Sequence, residues 1–137
     1  MFVGSPTYSE LAGPADPSTH LPTFVAYASG FRTTVAAAGT AGDTAYLYDT
    51  PGGTFAATST YAYVSAAAGQ PTQVEQANGF RSVYAYSGGG DSAYLYGTMT
   101  AADTFVQVGG LAYLYGDTFF ELESGFAAVW ANPFAHR

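Results

Sequence analysis

Few side chains in this chain of 137 residues can do chemistry, and the ones that stand out recur at a nearly fixed spacing. Arg32 and Arg81 each follow a Gly-Phe pair, 49 residues apart, and Asp43 and Asp91 each precede an alternating aromatic run, 48 residues apart. A pair of carboxylates is what a carbohydrate-cleaving centre needs, so Asp43 and Asp91 with the two arginines are a constellation to weigh as one. Their recurrence argues for another role, because a catalytic centre interrupts a repeat whereas a structural contact is copied along it. Each Asp then reads as a turn residue hydrogen-bonding its own backbone. Each Arg reads as covering a neighbouring rung or pairing with a carboxylate. His20 lies in a Pro-rich start and His136 at the C-terminal end; neither is placed to act as a base with a serine or carboxylate. The expectation is a non-enzymatic chain with no catalytic residues and no cofactor.

What the chain has in number is tyrosine, 12 residues, with 17% aromatic residues overall. Tyr46 and Tyr94, Tyr48 and Tyr96, and then Tyr113 and Tyr115 stand at matching places in similar runs. On a flat face such rings form a platform on which the CH groups of sugars pack. The same ladder without a ligand stabilises neighbouring strands. These six tyrosines are the candidate ligand or assembly face.

The elements that must carry them follow from period. Ala45-Tyr46-Leu47-Tyr48, Tyr61-Ala62-Tyr63-Val64, Val83-Tyr84-Ala85-Tyr86, Ala93-Tyr94-Leu95-Tyr96 and Leu111-Ala112-Tyr113-Leu114-Tyr115 alternate a small or aliphatic residue with tyrosine. That is the period-2 signature of a strand with two unlike faces, and Ala and Leu inward with Tyr outward is the expected phase. Phe119-Phe120-Glu121-Leu122-Glu123 alternates too, and Glu121 and Glu123 read as its wet face. Clusters such as Asp49-Thr50-Pro51-Gly52-Gly53 and Ser87-Gly88-Gly89-Gly90-Asp91 between the runs are turn chemistry.

The runs are copies of one another. Gly30-Phe31-Arg32 returns as Gly79-Phe80-Arg81 and as Gly125-Phe126-Ala127, and Thr54-Phe55 returns as Thr104-Phe105. The expected organisation is a partial repeat with a Pro-rich loop over 1–29, repeats over 30–78 and 79–124, and the start of a third repeat with a tail over 125–137. Equivalent strands a fixed distance apart can stack in register about 4.8 Å apart. The small residues Ala45, Ala62, Ala85, Ala93 and Ala112 suit a thin interior. An all-β parallel β-solenoid of roughly 48-residue repeats is therefore expected, with an antiparallel β-sandwich as the alternative.

Composition bounds the partners. The chain is 48% hydrophobic and 9% charged, so it should fold despite its net charge of -7. Lysine is absent, and Arg32, Arg81 and Arg137 leave nothing to neutralise a run of phosphates. Nucleic-acid and anionic-membrane binding are therefore not expected. With no cysteine there is neither a disulfide nor a thiolate. No segment approaches the roughly 20 apolar residues of a membrane span. Met1-Phe2-Val3-Gly4-Ser5-Pro6 lacks the basic start and apolar run of a signal peptide, so any export signal is expected outside this chain.

At the Gly-Asp corners a resemblance emerges. Gly88-Gly89-Gly90-Asp91-Ser92-Ala93-Tyr94-Leu95-Tyr96-Gly97 and Gly42-Asp43-Thr44-Ala45-Tyr46-Leu47-Tyr48-Asp49 resemble degenerate calcium-binding nonapeptide repeats of the RTX or haemolysin type, Gly-Gly-x-Gly-x-Asp-x-aliphatic-x. With the Gly-Phe starts and Asp103-Thr104-Phe105, residues 30 to 131 look in particular like the long tandem repeats of very large surface or secreted proteins in planctomycete-like bacteria. The resemblance implies an extracellular or cell-surface location, and Asp43 and Asp91 as ligands of Ca²⁺. True RTX arrays ring each ion with oxygens from two adjacent turns. Here the second half-site is degraded, to Asp49-Thr50-Pro51-Gly52-Gly53 and Gly97-Thr98-Met99-Thr100. The function expected is an extracellular structural or adhesive segment that associates with itself or with neighbouring repeats of a longer chain, in fibres or oligomers. The alternatives are a carbohydrate-binding module that takes a polysaccharide on its tyrosine ladders, and a calcium-stabilised RTX-like repeat.

Overall fold

The computed structural model describes residues 1–40, 42–70, 73–98 and 103–132. The fold is all-β, with fourteen short strands and no helix among the described residues. They fall into a five-strand unit used nearly three times. The first unit is β1 (Phe2–Gly4), β2 (Tyr8–Ala12), β3 (Val25–Ser29), β4 (Thr33–Ala37) and β5 (Thr44–Tyr48). The second is β6 (Thr54–Thr58), β7 (Tyr61–Ser65), β8 (Val74–Asn78), β9 (Ser82–Tyr86) and β10 (Ser92–Tyr96). The third comprises β11 (Thr104–Val108), β12 (Leu111–Tyr115), β13 (Phe120–Ser124) and β14 (Ala128–Asn132).

Two mixed sheets result. One runs β11-β12-β13-β9-β5-β1-β2-β3 and the other β14-β10-β6-β7-β8-β4. In each unit the first three strands form an antiparallel meander and the fourth crosses to the opposite sheet, and in the first two units the fifth crosses back. The step to the next unit is a third crossing, and an odd number of crossings delivers that unit to the other sheet. The meanders of the first and third units therefore lie in the eight-stranded sheet and that of the second in the six-stranded one. Residues equivalent in sequence, such as Ala45 and Ala93, therefore lie in opposite sheets instead of stacking in one.

Parallel stacking, expected from the repeat, joins the units. β1, β5, β9 and β13 pair in parallel, as do β6, β10 and β14, and β4 with β8. The sheets are nevertheless not all-parallel. Only Ser59-Thr60 separates β6 from β7, and only Gly109-Gly110 separates β11 from β12. A parallel connection needs a dozen or more residues, so links this short close antiparallel hairpins.

A single apolar core lies between the sheets, drawn from Phe2, Ala45, Leu47, Val83, Ala85 and Leu114 on one side and Phe55, Ala57, Ala62, Val64, Ala93 and Leu95 on the other. The inward phase of Ala and Leu is as the alternation predicts, with Ala45, Leu47, Ala93 and Leu95 fully buried. Close approach demands small residues here: a Cβ on Gly4 would lie 2.9 Å from the Cβ of Glu75 across the core. No described strand pairs with the outer edges of β3 and β11 in one sheet or β4 and β14 in the other.

Candidate functional site

The repeated Gly-Phe motif is a corner that docks each unit on the last. Gly30, Gly79 and Gly125 adopt φ of 75°, 71° and 81°, the left-handed region that glycine enters without strain. In the second and third units the following Phe turns inward. Phe80 packs on Phe2, ring centroids 6.1 Å apart, and Phe126 on Phe55 at 5.9 Å. In both cases the partner belongs to the first strand of the preceding unit. The next carbonyl holds a neighbouring strand, since Val74 N–H donates to the Arg32 carbonyl (2.9 Å) and Phe120 N–H to that of Arg81 (2.8 Å). The Arg32 and Arg81 side chains are exposed. Phe31, in the first unit, is 65% exposed.

The two repeated aspartates are equivalent in sequence and unlike in place. Asp43 accepts the Gly39 and Thr40 N–H groups, each at 3.0 Å, within its own loop. The Thr40 bond foremost holds its carboxyl below the usual range. Asp91 is fully buried and ties two rungs together. One oxygen accepts the Gly52 and Gly53 N–H groups of the adjacent corner, and the other accepts the Ser87 hydroxyl (2.6 Å) and the Gly89 N–H (3.1 Å). Its acidic neighbour is Asp49, whose carboxyl is pushed up to about 7 by burial, against a bond from the Thr50 N–H, and further by the charge of Asp91. Among the described residues no three His, Cys, Asp or Glu side chains converge as a metal site. A cleft of about 360 Å³ beside Asp43 is walled by Leu11, Phe24, Ala38, Thr40 and Phe80, and Asp43 is the one acidic side chain on it. His20 is exposed in the loop after β2, and His136 lies outside the described residues.

The tyrosines face outward, divided between the sheets. Tyr46, Tyr48, Tyr113 and Tyr115 belong to the eight-stranded sheet, and Tyr94 and Tyr96 to the six-stranded one. The odd number of crossings separates Tyr46 from Tyr94 and Tyr48 from Tyr96, so those matched pairs do not share a face. Four of the six, Tyr46, Tyr48, Tyr94 and Tyr113, instead meet rings that sequence equivalence did not single out. Tyr46 stacks on Tyr84 (5.2 Å) and Tyr48 on Tyr86 (4.9 Å). Tyr84 touches Phe120 (5.8 Å), which meets Tyr113 (6.3 Å), which stacks on Tyr115 (6.1 Å). Five rings thus form a continuous tract across the eight-stranded sheet. On the opposite sheet Tyr94 stacks on Trp130 at 4.9 Å and 11°. The parallel registers Tyr46↔Tyr84 and Tyr94↔Trp130 are the signal that would have found these neighbours.

Glu121 and Glu123 are not on a wet face; they point into the core. Parallel pairing with β9 places Glu121 opposite Val83 and Glu123 opposite Ala85, both inward positions. Burial raises the Glu121 carboxyl well above the ordinary range, helped by Glu123 and Asp103, and pushes Glu123 up to about 9. Burial thus favours the protonated, uncharged form of both carboxyls. Among the described residues, neither oxygen of Glu123 nor Oε2 of Glu121 has a hydrogen-bond partner to offset burial. Glu75, the counterpart of Glu121 in the second unit, is buried but accepts the Ser9 hydroxyl at 2.6 Å.

No protein-family model, curated protein or solved structure matches this chain.

Proposed function

We propose that the chain is a non-enzymatic structural or adhesive repeat segment of an extracellular or cell-surface protein, extended by its own neighbouring repeats and by association with further copies. In this reading the two mixed sheets are a β-solenoid whose unit advances by a half-turn. Five strands shared between two sheets add two and a half rungs per unit, about 12 Å at the usual strand spacing. One observation carries the proposal: no described strand pairs with the outer edges of β3 and β4 at one end or of β11 and β14 at the other. These four strands, Val-Ala-Tyr-Ala-Ser, Thr-Thr-Val-Ala-Ala, Thr-Phe-Val-Gln-Val and Ala-Val-Trp-Ala-Asn, contain no charge and no proline. Charge and proline are what edge strands ordinarily carry against association. Light scattering coupled to size exclusion, with electron microscopy, tests it; a compact monomer at every concentration refutes the assembly.

The five-ring tract from Tyr46 to Tyr115 favours a second reading, in which the eight-stranded face binds a polysaccharide. Pull-down on insoluble glycans decides it, with Tyr84→Ala and Tyr113→Ala as controls that interrupt the tract. No retention on any polymer removes this reading.

A further inference from the structure

We propose that the outer edge of β14 is the docking site for β3 of a second copy of this chain, in parallel and in a single register that sets Tyr27 of the second copy opposite Trp130. This rests on the assembly reading above and specifies its contact.

The register follows from the joints inside the molecule. β3, β8 and β13 hold the same place in their units, each running into a Gly-Phe corner, and β4, β9 and β14 are the strands after that corner. β8 lies parallel on β4 with Val74 opposite Thr33, and β13 lies parallel on β9 with Phe120 opposite Ser82. Applied once more, the same step puts Val25 of the second copy opposite Ala128, Tyr27 opposite Trp130 and Ser29 opposite Asn132. The surface is thus a continuation of an interface the chain already forms twice.

The side chains at that joint are incomplete in the way this partner would complete. Trp130 is stacked on Tyr94 and still 52% exposed, while Tyr27 is 72% exposed. Docking adds a third ring to the Tyr94–Trp130 stack. Phe31 of the second copy meets a counterpart as well. Phe80 rests on Phe2 and Phe126 on Phe55, and Phe105 holds the equivalent place in the third unit. The step therefore sets Phe31 on Phe105, burying a ring now 65% exposed. Neither β3 nor β14 contains a charge that pairing would strip of water. The joint is continuous in the sheet of β14. In the other sheet β11 and the second copy's β4 flank one strand's width, the place that β5 and β10 take in their own units. Because β3 and β14 are different surfaces, the contact is head to tail and leaves a fresh edge at each end.

The chain has one tryptophan and no cysteine, which makes the joint directly readable. Trp130 emission and acrylamide quenching are followed against protein concentration, alongside light scattering. Association is expected to shift the emission to the blue and protect Trp130 in step with the rise in mass. Tyr27→Lys, with its β-sheet circular dichroism retained, is expected to weaken association about tenfold or more by placing a charge in the joint. Separately, Tyr27→Cys and Trp130→Cys proteins are mixed under oxidation. A cross-linked heterodimer absent from either protein alone, and slower to form when Val25→Cys replaces Tyr27→Cys, is the expected result. Association that leaves Trp130 exposed and is indifferent to Tyr27→Lys, or Trp130→Cys linking chiefly to itself, overturns this joint and leaves the assembly reading intact. A monomer throughout overturns both.

Discussion

Glu123→Gln should stabilise this protein at neutral pH, and by more the higher the pH. In the folded chain Glu123 keeps its proton up to about 9, whereas an unfolded chain releases it near 4.5. Between those values the folded state holds one more proton, so stability falls as pH rises, by about 1.4 kcal/mol per unit for this one group. The contribution is fully present below 4.5 and gone above about 9. At about pH 7.5, three units into that window, the cost is about 4 kcal/mol, a large share of the 5–15 kcal/mol typical of a domain. Glu121, shifted in the same direction, steepens the slope. Gln keeps the shape and cannot ionise; its amide is left unpaired much as the neutral acid is, so the burial penalty changes little. Urea unfolding followed by circular dichroism at pH 5, 7 and 9 is the assay. Wild type should lose stability across the series, and Glu123→Gln should lose distinctly less and exceed wild type most at pH 9. A wild type that gains stability with pH, or a variant with an unchanged slope, refutes the argument that a buried neutral carboxyl is involved.

Phe80→Ala should cost about 3–5 kcal/mol, as deletion of a buried ring does, while Phe31→Ala at the exposed counterpart should leave the monomer within about 0.5 kcal/mol of wild type; urea midpoints at low protein concentration compare them. Asp91→Ala strips partners from Gly52, Gly53, Ser87 and Gly89 and should destabilise by several kcal/mol, against about 1 kcal/mol for Asp43→Ala in its own loop. In EDTA the chain should keep a β-rich circular-dichroism spectrum, because an apolar core runs between the sheets. Millimolar Ca²⁺ should then raise the melting temperature only modestly, and folding that begins only on adding Ca²⁺ would refute this and make Asp43 and Asp91 the first ligands to test.

Much of the local structure was legible in the sequence, and much of the assembly was not. Ala-Tyr-Leu-Tyr fixes both strand and phase, because the small and aliphatic residues fit a thin interior that tyrosine does not. The Gly-Phe corners are legible as repeats, though their task emerges only once Phe80 is seen on Phe2. Phe120-Glu121-Leu122-Glu123 misleads for a physical reason. Where the outer face is itself covered with rings, apolar residues gain by facing outward, and Phe120 does so between Tyr84 and Tyr113. Alternation then reports two unlike faces without saying which is wet, and pairing with Val83 and Ala85 decides. The separation of Tyr46 from Tyr94 was hidden because it depends on how many times the chain crosses between sheets, a count that no local pattern carries.

That count has a consequence for any array built from such units: it has parity. A segment with an even number of units hands the chain on to the side where the segment began, whereas one with an odd number hands it to the opposite side. Gaining or losing a single unit would therefore turn everything beyond it over by a half-rotation, presenting its three-strand face to the other flank. A long array would have no back. Both flanks would carry the same pattern displaced by one unit, so such a ribbon could grip two neighbours at once, and an attached domain would be aimed left or right by arithmetic alone.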